Sequence, residues 1–146
     1  MSILLTQGAG GIGAIATTPK IGSWYSTLIK PEFSPPNWLF GPVWTLLFLM
    51  MGVAFYLVWI EGKRARKALV VFGIQLVLNI LWSFLFFGAE SPGAAAAEII
   101  VLWWAIAITI LTFQKISKTA AWLLVPYLLW VSFASILNMA IFQLNR

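Results

Sequence analysis

Along this chain the apolar positions form long runs and the polar positions form short clusters between them. Four runs of about twenty residues, 42–60, 68–88, 93–113 and 119–142, contain a single charge among them, Glu98. Twenty residues of α-helix rise about 30 Å, the thickness of a bilayer's hydrocarbon core. Each run therefore predicts a membrane-spanning helix. A fifth segment, 2–19, is also uncharged but is interrupted by Gly8, Gly10, Gly11 and Gly13. It predicts a further, weaker span. It lacks a basic leading region, so it does not read as a cleavable signal.

The breaks read as turns. "EGKRARK" (61–67), "AESPG" (89–93) and "QKISK" (114–118) are short, which makes consecutive helices antiparallel neighbours. In the second turn Ser91 is placed to cap the next helix and Pro92 to occupy its first position. The expected architecture is an all-α polytopic membrane protein, one five-helix transmembrane bundle over residues 1–146. The 20–41 connection differs. It is long and aromatic, with Pro31, Pro35 and Pro36, and Pro42 follows it directly. Connections of this kind often cover binding sites.

Three patterns inside the spans suggest chemistry. Gln75, Asn79 and Ser83 recur every four residues, so they share one helix face. Amides are costly in hydrocarbon without partners, so this face should look into the bundle. Interhelical hydrogen bonding would explain it, and so would Asn79 meeting a ligand. In the fifth span Pro126 removes a helical hydrogen bond, and Tyr127, Trp130, Ala134 and Asn138 fall near one face, with Ala134 leaving room below Trp130. In the second span Trp44, Phe48, Met51 and Phe55 form a comparable stripe. Such stripes serve packing or line an apolar cavity with few polar anchors. Glu98, near the start of the fourth span, is expected to extend to the membrane interface.

Composition agrees with the bilayer reading. Hydrophobic residues make up 62% and charged residues 9%, against about 25% charged in soluble domains. There is no Cys, His or Asp. That excludes disulfides, Cys/His zinc sites and a Ser-His-Asp triad. Some of the nine Trp should form an interfacial belt. With five spans, Lys63, Arg64, Arg66, Lys67, Lys115 and Lys118 share the N-terminal side, against Lys20, Lys30 and Arg146 opposite. The positive-inside rule then predicts a cytoplasmic N-terminus. Topology accounts for these basic turns without nucleic acid.

The stretch "GAGGIG" (8–13) has the G-x-G-x-x-G spacing of a dinucleotide turn. That turn needs a βαβ unit, which this chain does not offer. The better reading is a small-residue face, Ala9/Gly13 and Gly10/Ala14, packing on a neighbour within the protomer or across a dimer.

Taken together, "WYSTLIKPEFSPPNWLFGPVWTLLF" (24–48), "QLVLNILWSFLFFG" (75–88) and "LLVPYLLWVSFASILN" (123–138) resemble the three signature blocks of the translocator protein family. That family is also called the tryptophan-rich sensory protein or peripheral-type benzodiazepine receptor family. The resemblance covers nearly the whole chain. It implies a five-helix bundle, often a homodimer, in a bacterial cell membrane or the mitochondrial outer membrane. It also implies a cavity under the first loop. Members bind protoporphyrin IX, haem, isoquinoline carboxamides and benzodiazepine-type drugs, so porphyrin is an expected ligand rather than a required cofactor.

Carried over by motif, the expected ligand-binding residues begin in the loop with Tyr25, Pro35, Pro36 and Trp38. The second helix contributes Trp44 and Phe48, the third Asn79 and Trp82, and the fifth Tyr127, Trp130 and Ala134. Phe48 stands where many members have Tyr, which removes a hydroxyl. Met139 and Gln143 replace the Tyr and basic residue of the animal cholesterol motif.

Three functions are open at this point. The chain could be a tetrapyrrole receptor, with Lys20 or Lys30 meeting propionates or serving as interfacial lysines. It could be a light-dependent porphyrin-degrading enzyme using Trp44 or Trp130. It could be a transporter, although five spans give no matching halves.

Overall fold

The computed structural model describes all 146 residues, with no strand. The five helices are α1 (Ser2–Ile21), α2 (Asn37–Trp59), α3 (Arg66–Ser83), α4 (Pro92–Gln114) and α5 (Lys118–Leu144). The final turn of α3 widens into a π-type turn, Phe84–Gly88, in which the Ala89 N–H donates to the Phe84 carbonyl at 2.7 Å. Helices α2, α4 and α5, and α3 together with its flanking helical turns (Gly62–Gly88), are each long and apolar enough to cross a membrane. The twenty residues of α1 are less apolar. They pack on α2 and α3 and complete the bundle.

Side chains sort as a bilayer requires. The interior holds Met51, Val58, Phe72, Leu102, Ile106 and Phe113, all at or near zero exposure, with Phe72 stacked on Phe113 at 5.8 Å. Val70, Ile74 and Val77 of α3 and Ile100, Val101 and Ile108 of α4 point outward. These exposed apolar faces suit lipid. Trp38, Trp59 and Trp122 are exposed near helix ends, as a belt requires, whereas exposed Trp104 sits midway along α4.

Close crossings depend on small residues. A Cβ at Gly52 would lie 2.8 Å from the Ile3 Cα, so α1 and α2 approach backbone to backbone there. Beside this crossing Thr6 Oγ1 donates to the Phe48 carbonyl at 2.7 Å. The Ala9/Gly13 face is buried within the protomer: a Cβ on Gly13 would meet Ser83 Oγ at 3.2 Å.

The connections bear out the turn chemistry. Ser91 Oγ accepts from the Ala94 N–H and Pro92 opens α4. Ser117 caps α5 in the same way. Glu90 adopts φ +52° and pairs with Lys20, joining the α3–α4 turn to the end of α1. At the opposite end, Arg64 donates to the Lys115 carbonyl and ties two basic turns together.

Two expectations need correction. Helix α2 starts at Asn37, not near residue 42, so the covering loop is shorter and Pro42 lies inside the helix. Pro42 is the sixth residue of α2, past the orphan N–H groups of the first turn, so the helix forgoes the one hydrogen bond that position would make to the Trp38 carbonyl and continues through it. Glu98 does not reach the interface. It is 9% exposed, and both carboxylate oxygens are buried without a hydrogen-bond partner. It lies on the face of α4 that carries Ala95, Leu102 and Ile106, so its position around the helix overrides its nearness to the end.

Candidate functional site

A cavity of about 590 Å³ lies between α1, α2, α3 and α5, beneath the loop that joins α1 to α2. No Asp, Glu, Lys or Arg contributes to its wall. Helix α4 stands behind it. The sequence places aromatics on three of its four sides and small residues on the fourth.

From α2 come Trp44 and Phe48, one turn apart, with ring centroids 5.7 Å apart. Trp44 meets Trp130 of α5 edge-on, at 6.4 Å and 90°. Ala134, one turn beyond Trp130, leaves space that a larger side chain would fill. From α3 come Asn79, Trp82 and Ser83. The π-type turn that follows swings Phe86 and Phe87 onto the upper wall, with Phe86 stacked on Trp82 at 5.2 Å. From α1 come Gly10, Gly11, Gly13 and Ala14. A Cβ on Gly10 would lie 2.8 Å from Phe48 Cδ2, so this glycine is what lets the Phe48 ring pack close against α1.

The polar groups are mostly committed to the protein. Asn79 Nδ2 donates to the Tyr127 hydroxyl at 2.7 Å, and that hydroxyl donates to Gln75 Oε1 at 2.8 Å. Trp82 Nε1 donates to Asn138 Oδ1 at 2.9 Å, while Asn138 Nδ2 donates to the Pro92 carbonyl at 2.8 Å. Gln75, Asn79 and Ser83 do face inward, as their spacing predicted, and Asn79 and Ser83 reach the cavity. Trp130 Nε1 is buried without a partner.

The loop forms the roof. Tyr25 is 2% exposed within a cluster of Phe40, Phe86 and Phe87. Burial raises its phenol pKa above the ordinary 10.0. Lys30 sits 4.7 Å above the Tyr25 ring and donates to the Tyr25 and Leu28 carbonyls. Phe33 packs edge-on against Phe133 of α5. Asn145, at the end of α5, receives the Ile29 N–H at 2.9 Å and donates to the Ile29 carbonyl at 2.8 Å, as a neighbouring strand would. Lys20 is held by Glu90, and neither Lys20 nor Lys30 belongs to the wall.

Eight of the expected residues therefore meet around one space: Tyr25, Trp38, Trp44, Phe48, Asn79, Trp82, Trp130 and Ala134. Trp38 is 72% exposed, at the rim. Pro35, Pro36 and Tyr127 lie outside the wall. Pro36 precedes α2 in an extended conformation, and Tyr127 stands behind Asn79. The wall residues not anticipated as ligand contacts include Gly10, Gly13, Ser83, Phe86, Phe87 and Asn138. The four-residue spacing from Gln75 to Ser83 was a signal for Ser83. Nothing local marks Phe86 and Phe87, which depend on the π-type turn. No three His, Cys, Asp or Glu side chains come together to hold a metal ion.

Comparison with known proteins agrees with this geometry. The family model described as "TspO/MBR family" matches residues 2–144. "Tryptophan-rich protein TspO" of Chlorobaculum tepidum is 51% identical over 141 residues, covering 94% of this chain and 89% of the relative. "Translocator protein" of Bos taurus is 37% identical over 147 residues, covering 98% and 87%. "Tryptophan-rich sensory protein" of Cereibacter sphaeroides is 38% identical over 136 residues, covering 91% and 85%. The bundle, the roofed aromatic cavity and these matches lead to one conclusion: the chain is a multi-pass membrane protein that belongs to the TspO/MBR family.

Proposed function

We propose that this protein is a membrane receptor that binds a flat, largely apolar aromatic molecule of the tetrapyrrole class in the roofed cavity. The observation that carries the reading is a 590 Å³ space walled by Trp, Phe and Gly with no charged side chain. The Trp44 and Trp130 edges and the Phe48 face offer aromatic contacts of about 0.5–1.5 kcal/mol each beyond burial. Propionates, being charged, would stay at the rim near Trp38 and the loop, because a carboxylate in an uncharged wall has no partner. Isoquinoline carboxamides and benzodiazepine-type compounds have the same flat, neutral character and would compete for the space.

The site suits metal-free porphyrin about as well as haem. Without His or Cys, axial ligation falls to Met or Tyr. No Met belongs to the wall, and the one Tyr that does is Tyr25. Burial disfavours its phenolate, the form that would bind iron. The test is titration of protoporphyrin IX and haem into purified protein, following Trp fluorescence and the Soret band. Quenching by both, weakened in Trp44→Ala, supports the reading. Absence of saturable quenching, or a strong Soret shift with haem alone, overturns it.

A second reading is light-driven porphyrin breakdown, favoured by the Trp44–Trp130 pair on the wall. Illuminating the complex and following porphyrin absorbance in Trp44→Phe and Trp130→Phe decides it; an unchanged rate in both variants removes it.

A further inference from the structure

The chain Met51–Gln75–Tyr127–Asn79 has a direction, and that direction decides what the cavity can recognise. Gln75 is 1% exposed and its Nε2 lies 4.0 Å from Met51 Sδ. A thioether accepts hydrogen bonds and donates none. The amide nitrogen of Gln75 therefore turns to Met51, and Oε1 turns to Tyr127, whose hydroxyl donates to it at 2.8 Å. A phenol has one proton. With that proton spent on Gln75, the Tyr127 oxygen can only accept, and Asn79 Nδ2 supplies the donor at 2.7 Å. No protein group engages Asn79 Oδ1, so its two lone pairs are left to meet a ligand, against the single hydrogen that remains on Nδ2.

We infer that Gln75 and Tyr127 are positioning residues that fix the Asn79 amide with Oδ1 toward the cavity, so that the site selects a ligand bearing a neutral N–H or O–H donor over one bearing an acceptor at that place. This rests on the cavity being the binding site. Neither Gln75 nor Tyr127 belongs to the wall, so both act through Asn79. The alternative arrangement, with Asn79 Nδ2 toward the ligand, would put Gln75 Oε1 against the sulfur, two acceptors face to face with no proton between them.

The test uses two flat tricyclic probes of nearly equal size. Carbazole carries one N–H and no acceptor; unprotonated acridine carries one acceptor nitrogen and no donor. Competition against protoporphyrin fluorescence in the detergent-purified full chain gives both affinities. The wild-type protein is expected to prefer carbazole by about tenfold, the worth of one buried hydrogen bond. In Gln75→Leu the Tyr127 proton has only Asn79 Oδ1 to go to, so the amide turns over and the preference reverses to acridine. In Tyr127→Phe the amide loses its anchor and the ratio falls toward one. The readout is the ratio, which a merely structural loss would leave unchanged by lowering both affinities together. A wild-type ratio near one, or a preference that survives both substitutions, overturns the inference while leaving the cavity reading intact. If neither probe nor porphyrin binds the wild type, the cavity reading fails and this inference fails with it.

Discussion

Gly10→Ala would add one methyl group where α1 passes the Phe48 ring. The new Cβ would sit 2.8 Å from Cδ2, 3.0 Å from Cε2 and 3.3 Å from Cγ. Carbon atoms rest at about 3.5–4.0 Å, so the ring must give way by up to about 1 Å. The Phe48 backbone cannot retreat freely, because its carbonyl is held by Thr6. The ring must swing, and the cavity is the open space beside it. Two stability terms oppose each other. Overpacking costs about 1–3 kcal/mol, while replacing Gly inside a helix returns about 1 kcal/mol. The net change in stability is therefore small, about 0–2 kcal/mol of loss. Binding has no such offset, and protoporphyrin affinity should fall about tenfold or more. Thermal unfolding in detergent and porphyrin quenching separate the two effects. Gly8→Ala is the control: nothing lies within 4 Å of its Cβ, so binding should be unchanged. Gly10→Ala combined with Phe48→Leu should regain part of the lost affinity, short of wild type by the aromatic contact that Phe48 makes. Wild-type binding in Gly10→Ala alone would refute the claim that the thin face of α1 sets the cavity's shape.

Further outcomes follow from single contacts. Glu98→Gln keeps the shape of a buried side chain that has no partner and should leave thermal stability unchanged or raised, whereas Glu98→Ala leaves a hole and should lower it by about 1–3 kcal/mol; unfolding in detergent compares them. Asn145→Leu removes both hydrogen bonds to Ile29, so residues 22–36 should exchange amide hydrogens faster and bound porphyrin should leave faster, with stopped-flow dissociation as the check. Burial holds the Tyr25 phenol above 10.0, so its contribution to stability is full below that value and is lost as pH rises through the higher folded value; alkaline unfolding should therefore be shallower in Tyr25→Phe. Ser91→Ala should cost about 0.5–1 kcal/mol, at the low end for a cap because its bond to Ala94 is long at 3.4 Å.

Much of the fold is visible in the sequence because the bilayer imposes length and apolarity on every span. Helices α2 to α5 need no tertiary information to be found. Trp44, Asn79, Trp130 and Ala134 are found because four-residue spacing places side chains on one face, and a polar or small residue on such a face marks either an interhelical bond or a space. Pro42 misled because proline marks loops far more often than helix interiors, and nothing local shows that α2 has already begun at Asn37. Glu98 misled because distance from a helix end says nothing of azimuth. The pairs that finish the site, Trp82 with Asn138 and Asn145 with Ile29, join residues 56 and 116 positions apart. No local pattern carries such pairs, and the π-type turn that delivers Phe86 and Phe87 leaves no periodic trace.

The clasp between Asn145 and Ile29 also sets an order of events. Spans enter a membrane in the sequence in which they are made, so α1 and α2 can meet at Gly52 while the rest of the chain is still being added. The half-site they form is an open groove facing lipid. Trp82 arrives with α3 and Trp130 with α5, and only then does the groove become a chamber. The loop is tied down last, 116 residues after it was synthesised. Until Asn145 is made the roof lacks this pair of hydrogen bonds, the last tie of the chamber that the chain can form.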